Sequence, residues 1–594
     1  MKSYNKLLLL LGIGSVMASC SDMLDEKTNS QWETKYVWSV PKIAQGVLYN
    51  AYNAIEKRPD SYGSNFLDAA TDNALTSNYS SAVYSLATGQ MSATNNPLGI
   101  WSSVYQQFQY INLFLENGLT DETKYNLVDP EMDAEYKKRL EGEAYYLRAY
   151  WGFRMLQIYG GKTNDGEALG YPLVAHFMTE EDAMDFNSIK RNSYEECALQ
   201  IMDDCDKAAE ILPSEYSGDD PVWGKSEIGR ATRLAALALK SKVALYAASP
   251  AYQPDAIVKL NGMGDYTVVD EASYKSKWER AAEAANVALC EPGFGEFYAL
   301  QATDLASAPN TTPSEFIMRA YHNTKELENR HFPPYYMGRA NTIPSQNLVD
   351  AFPTIDGYPI SDERSEYNEN SPYESRDRRF YLNIYYHGAT FGTDTEMPLD
   401  MVMGGKDSPS IDPFASRSGY YLAKFLSKKH TMLDPITGSN DKHYYPMFRK
   451  AEIFLNYAEA ANEAWGPKEN PKGYKYTAYQ IIKDIRAKSG GITDTGYLDE
   501  MAADKFTFAD LIQNERRLEL AFENQRYFDM RRRLMNLTEP VRGVEITESE
   551  DGTLSFNTEK VLEQRSYNDV KFYYCPIPRN ECIKNPNIKN NLGW

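Results

Sequence analysis

The feature that most limits what this chain can become is a succession of long stretches in which apolar residues return at helical spacing. Val47, Leu48, Ala51 and Ile55 do so within residues 43–56, and Val104, Phe108, Ile111 and Leu115 within residues 100–116. Leu140, Ala144, Leu147, Trp151 and Met155 form one stripe along residues 136–159, closed by Gly160 and Gly161. Residues 194–212 stop at Pro213, the alanine-rich 231–248 stop before Pro250, and 274–290 stop before Pro292. The pattern resumes late, in 449–465 closed by Gly466-Pro467, in 476–488 closed by Gly490-Gly491, and in 509–534, the longest. An amphipathic helix buries its apolar face only against a neighbour, so these stretches predict helix pairs stacked side by side. Their spacing is irregular because long loop-rich segments separate them.

Two regions lack this period. Residues 59–99 are rich in Asn, Ser, Thr, Asp and Tyr, and residues 305–447 in Pro, Gly, Tyr and Asp. Short runs at 316–319 and 381–386 read as β, and little sheet is expected overall. A loop-rich region of this size on a helical scaffold is where a binding site is expected.

The first residues have a different logic. Lys2 and Lys6 precede an apolar run over 7–17, then Ala18, Ser19 and Cys20. The run is too short to span a bilayer and reads as a secretory leader over 1–19. Met-Ala-Ser-Cys resembles a bacterial lipobox, which implies that Cys20 becomes the lipid-bearing first residue. The acidic 21–27 segment that follows resembles a surface-export tether. Of the other cysteines, Cys197 and Cys205 sit on one helix face about 12 Å apart by the helical rise. That is too far for a disulfide, so both are expected as buried apolar residues.

Charge and motif content narrow the function. Asp and Glu outnumber Lys and Arg 83 to 62, with a net charge of −21 and no basic run, which argues against a nucleic-acid partner. The six His are widely separated, and no zinc, nucleophile-elbow or P-loop motif is present. Glu515, Glu519 and Glu523 share a helix face with Arg516 and Arg526 in reach, and Arg526 in reach of Asp529. Paired carboxyls can hydrolyse a glycosidic bond, but alternating charges along a helix are expected to form a salt-bridged packing face. No catalytic residue, metal or cofactor is assigned; the acidic 548–552 stretch lacks EF-hand spacing and leaves a structural calcium open.

Several motifs together resemble the SusD/RagB family over nearly the whole mature chain. They are EGEAYYLRAY at 141–150 with IYGG at 158–161, GRAT at 229–232 leading to ALKSKV at 238–243, and PSQNLVDAF at 344–352 with Asp356-Gly357. NSPYESRDRRF at 370–380 follows, with Arg378 where Pro is commoner. The C-terminal half carries RKAE at 449–452, NERRLELAFE at 514–523, RYFDMRR at 526–532, PIP at 576–578 and a terminal NLGW. The resemblance implies a mainly α fold of tetratricopeptide-like helix pairs, over about 40–300 and 447–535 of a domain spanning 20–594. It also implies a loop-rich, low-β, substrate-facing insert at about 305–446. It further implies a lipoprotein on the outer leaflet of the outer membrane, held there by its lipid alone. Such a protein captures nutrient fragments and hands them to a SusC-like TonB-dependent barrel, and is not an enzyme.

Ligand contacts are expected where loops combine aromatic faces with hydrogen-bonding side chains. Two segments do so: Asp72, Asn73, Asn78, Tyr79 and Tyr84, and His331, Tyr335, Tyr336, Arg339 and Asn341. Glycan fragments are the leading ligand, given the abundance of Tyr. Peptides on the same scaffold are the alternative, followed by a cell-surface glycoside hydrolase and by a purely structural or adhesive protein.

Overall fold

The computed structural model describes residues 34–179, 181–182, 188–392, 397–429, 433 and 439–594. The leader, the acidic segment and Cys20 lie outside them. The long helices are α1 Pro41–Asn53, α2 Trp101–Asn117, α3 Pro130–Tyr159, α4 Tyr194–Ile211, α5 Arg233–Ala248 and α6 Glu271–Cys290. After an insert come α7 Lys450–Trp465, α8 Ala478–Ile485, α9 Lys505–Glu519 and α10 Arg526–Arg532.

Local chemistry sets their ends. The Asp129 carboxylate accepts from the Glu131 and Met132 amides at 3.0 and 3.1 Å, and Pro130 opens α3. Ser193 and Glu196 form a reciprocal capping box at α4, and Thr477 and Gln480 one at α8. Each helix then packs on the next: α1 on α2, α2 on α3, and so on through α6 on α7 and α7 on α8 and α9. Close approach needs small residues. A Cβ on Gly142 of α3 would meet Leu212 and Ile211, at the end of α4, at 2.9 Å. The chain is thus mainly α, a tetratricopeptide-like run of helix pairs. No described helix is long and apolar enough to cross a membrane.

Because α6 packs directly on α7, everything between Cys290 and Lys450 loops out of the stack. In that insert the described helices run to six residues at most. Sheet is limited to two-stranded antiparallel pairs among the described residues. The strands that matter are β1 Ala74–Thr76, β2 Phe316–Thr324, β3 Thr342–Pro344, β4 Asp441–Arg449, β5 Val541–Glu548 and β6 Leu554–Glu563. β2 pairs with β4, so the first arm of the insert is clamped to the last just before α7. β5 and β6 form a hairpin whose tip is the acidic 548–552 stretch, closed by Ser549, Asp551 and Thr553 on one another.

Two expectations are corrected. The 509–534 stretch is not one helix: α9 ends at Glu519 and α10 begins at Arg526. Phe522 and Asn524 adopt φ of 60° and 61°. Their conformation is held from afar. Asp68 Oδ1 accepts from the Phe522 amide at 3.1 Å, while the Asn524 side chain accepts from the Leu67 amide and donates to the Pro59 carbonyl. Half of the 381–386 run is helix, since Asp377 caps Arg378–Asn383 and leaves only Ile384–Tyr385 as strand. Cys197 and Cys205 are buried and unbridged, and burial pushes the Cys197 thiol up to about 12.

The break at 520–525 bends a row of carboxylates into a buried ionic lattice. Arg449 binds Glu315, Glu519 and Glu523 at 3.2, 2.9 and 2.9 Å, and Lys424 of the insert binds Glu523 at 2.8 Å. Glu515 binds Arg379 of the insert at 2.7 Å and Arg486 at 2.8 Å. On the other side, Asp529 joins Arg516 and Arg532, and Arg532 reaches Glu459 of α7 at 2.6 Å. Arg526 binds Asp72 at 2.8 Å rather than Asp529. Burial disfavours ionised Glu459, but Arg532 and Arg533 outweigh it and hold the carboxyl at about 2. A folded-state value below the ordinary 4.5 means the stabilisation is complete above pH 4.5 and is lost as pH falls through about 2. Glu459→Gln should therefore cost about 3 kcal/mol near pH 7 in chemical denaturation. Its deficit relative to the parent should shrink between pH 4.5 and 2; a pH-independent deficit would contradict the ionic assignment.

Candidate functional site

The two polar, aromatic segments singled out in the sequence are far apart in the chain, yet the fold joins them. β1 and β3 pair antiparallel, with Leu75 opposite Ile343 and Thr76 opposite Thr342. The ladder extends one step through the Ser77 amide to the Asn341 carbonyl at 2.9 Å, and the Ser77 hydroxyl donates to the Ala340 carbonyl at 2.8 Å. Beyond this staple both strands emerge at the surface.

Half of the expected contact residues form the staple's foundation instead of its face. Asp72 is buried between Arg526 and Arg517, at 2.8 and 3.1 Å. Burial opposes its ionisation, yet the two guanidiniums hold the carboxyl far below the usual range. Asn73 is buried, donating to Asp68 and accepting from Arg517. His331 is fully enclosed beside the Phe66 ring, with Nε2 3.6 Å from Asp60. Tyr336 is buried on Phe391, ring centroids 4.3 Å apart, and its hydroxyl donates to the Met397 carbonyl. Asn341 is buried and donates to the Ser64 carbonyl at 3.0 Å. These five position loops; they offer a ligand almost no surface.

The other five lie at the surface. Tyr79 is 57% exposed, edge-on to half-buried Tyr84 at 5.1 Å. The Arg417 guanidinium covers its ring at 5.3 Å and is itself held by Glu563 at 2.9 Å. Asn78 is half-buried and accepts from Ser80. Tyr335 is 41% exposed, edge-on to Tyr336 at 5.2 Å. Lys406 lies 5.3 Å from its ring, anchored by Asp407 at 2.9 Å and the Pro398 carbonyl at 2.7 Å. Arg339 is exposed. Left-handed Met337 and Ala340, φ 70° and 44°, turn this loop back onto the staple.

A third loop went unread in the sequence. Residues 397–417 supply Lys406 and Arg417, and expose Met397, Met403, Ile411 and, most of all, Phe414. The available signal was a large aromatic inside a run of turn residues, Ser408-Pro409-Ser410-Ile411-Asp412-Pro413-Phe414, where an apolar side chain has no core to join. This loop thus sets one cation beside Tyr335 and another beside Tyr79, and carries exposed apolar side chains of its own. By contrast, Glu515, Glu519 and Glu523 are buried and bonded inside the lattice. Among the described residues, no group of three or more His, Cys, Asp or Glu could hold a metal ion.

Comparison with known proteins places this architecture. A model described as "SusD family" matches residues 306–594, and one described as "Starch-binding associating with outer membrane" matches 22–245.

The chain belongs to the SusD/RagB family.

The SusD-like protein P38 of Formosa agariphila is 22% identical over 552 residues, covering 90% of this chain and 93% of the relative. A SusD-like protein from Bacteroides fragilis superposes with a TM-score of 0.70 at 24% identity, over 95% of this chain and 99% of that one. A SusD-like carbohydrate-binding protein from the same species gives 0.66 at 20% identity, over 93% and 100%. At these identities the likeness to solved structures is one of fold. The motif arginines and glutamates of the C-terminal half of this SusD-like chain form the ionic lattice and lie apart from the exposed loops.

Removing the foundation and removing the face should differ. Asp72→Asn strands two buried cations and should cost about 3–5 kcal/mol in denaturant unfolding, whereas Tyr79→Ala should stay within about 1 kcal/mol. Equal losses would contradict the division between them.

Proposed function

We propose that the chain is a lipoprotein, anchored through Cys20 on the outer leaflet of the outer membrane. There it binds glycan fragments at the loop face and passes them, uncleaved, to a SusC-like TonB-dependent transporter. The observation that carries this is the pair of exposed phenol rings, Tyr79 and Tyr335, each held by its neighbours and each beside a fixed cation. A sugar ring has a C–H face that packs on an aromatic ring and hydroxyls that need polar partners. Tyr supplies the first, and Asn78, Arg339, Arg417 and Lys406 the second. The family description as starch-binding and outer-membrane-associated supports the same class, as does the carbohydrate-binding neighbour.

Capture without chemistry is supported by how the loops are held. They are stapled to a rigid frame, so little ordering entropy opposes binding. Sugar hydroxyls exchange water for protein hydrogen bonds at small net gain, so affinity is modest. Release to a transporter then costs little, and tethering to the barrel raises the local ligand concentration. Hydrolysis needs an acid and a base flanking a bond. The lattice carboxylates are committed to Arg and Lys, and Glu315, which burial pushes up to about 7, is enclosed by protein.

In titrations of the purified protein with neutral gluco-oligosaccharides, Tyr79→Ala and Tyr335→Ala should each weaken binding about tenfold, the value of roughly 1.4 kcal/mol of stacking. Their melting temperatures should be unchanged. Unchanged affinity in both variants would reject the face, turnover of the sugar would reject the non-enzymatic reading, and tight capture from a peptide library would favour the peptide alternative. Cys20→Ser should abolish incorporation of labelled fatty acid and release the protein from the membrane fraction; continued labelling would reject the anchor.

A further inference from the structure

Away from the loop face, the segment after α1, the start of α2, the last third of α3, the end of β4 and the turn between α9 and α10 line a cavity of about 260 Å³. None of its lining residues belongs to the face described above. Its mouth is formed by exposed Ala54, Glu56 and Ser103. Its volume lies just under the roughly 300–1,000 Å³ typical of small-molecule sites, enough for one ring but not for a chain of them.

The lining carries an uncompensated charge. Glu523 is committed to Arg449 and Lys424, and Lys242 to Glu452 at 2.7 Å and Gln525 at 3.0 Å. At the mouth, Glu56 is matched by Arg58 at 4.0 Å. That leaves Arg154 of α3, which has no carboxylate within ion-pair distance among the described residues. Its guanidinium donates to Gln157 Oε1, and Gln157 is fixed in turn by its amide donating to Tyr246 at 2.9 Å. Tyr62, Tyr150 and Tyr445 surround the same cation and also line the cavity. Other interior arginines that lack carboxylates, such as Arg191 and Arg376, are satisfied by backbone carbonyls. Arg154 instead faces open space.

Arg154 is half-buried; a cation partly withdrawn from water with no anion beside it favours a partner of opposite charge. Where one persists in a cavity beside phenols and amides, an anionic ligand completes it. We infer that this cavity binds a single acidic sugar unit, a hexuronate, with its carboxylate on Arg154 and its ring among Tyr62, Tyr150 and Tyr445. The guanidinium fork matches a carboxylate bidentately, and the tyrosines supply both ring faces and hydroxyl partners. The inference deepens the glycan-binding reading by naming a charged sugar class at a second site, and rests on that reading only in assigning the carboxylate to a sugar.

Calorimetric titration of the full-length, detergent-solubilised protein with glucuronate, glucose and acetate tests it. Glucuronate should bind, with glucose and acetate each about tenfold weaker or worse, as expected for loss of one charge-assisted contact or of the ring. Arg154→Gln should abolish glucuronate binding without lowering the melting temperature, because it removes an unpaired charge. Ser103→Phe, at the exposed mouth, should block entry while leaving the interior intact, so the test survives if the first variant misfolds. Glucuronate binding no tighter than glucose, acetate binding as tightly, or glucuronate binding retained in both variants would overturn the inference. Neutral oligosaccharide binding retained while glucuronate fails to bind would sink this site alone. Glucuronate binding retained while Tyr79→Ala and Tyr335→Ala leave oligosaccharide affinity unchanged would sink the loop face alone.

Discussion

Arg449 ties the insert to the helix stack. It stands where β4 of the insert becomes α7 of the helix stack, and it binds carboxylates from three directions. Glu519 and Glu523 reach it only because the chain turns through left-handed Phe522 and Asn524 between α9 and α10. A buried ion pair contributes little net stability over an apolar equivalent, but an unmatched buried charge is heavily penalised. The lattice therefore acts mainly as a register device. Shifting the insert against the helices would unpair Arg449 from Glu315 and Arg379 from Glu515.

The same helices also root the proposed ligand loops. Asp72 bridges Arg517 of α9 and Arg526 of α10, and two residues later the chain enters the β1–β3 staple. The loops bearing Tyr79 and Tyr335 are thus rooted in the same ion pairs that fix α9 and α10. A glycan-binding surface gains from such rooting. Weak, exchangeable contacts to sugar hydroxyls give useful affinity only where the protein need not be ordered at the moment of binding.

How much of this could be read beforehand depended on the range of the determining interaction. Helices such as 43–56 and 231–248 were legible because their period and end signals are local. The break at 520–525 was not, since no Gly or Pro marks it and its hydrogen bonds come from residues 59–68. The 381–386 run was misread as strand although Asp377 supplied a cap. Asp72, Asn73 and His331 looked like loop ligands because they are polar and lie outside the helical period. Their partners, Arg517, Asp68 and Asp60, are apparent only once the chain is folded. The exposure of Tyr79 and Tyr335 was legible as an aromatic ring among turn residues, and Phe414 has the same signature.

The most direct measurement is backbone hydrogen exchange of the intact protein with and without a neutral gluco-oligosaccharide. The account predicts slow exchange at residues 67–76 and 520–526 in both states. It predicts faster exchange at 77–80, 335–339 and 404–414 in the free protein, slowing when sugar binds. Fast exchange throughout 67–76 and 520–526 in the free protein, or sugar-dependent slowing confined to segments outside those three loops, would contradict it.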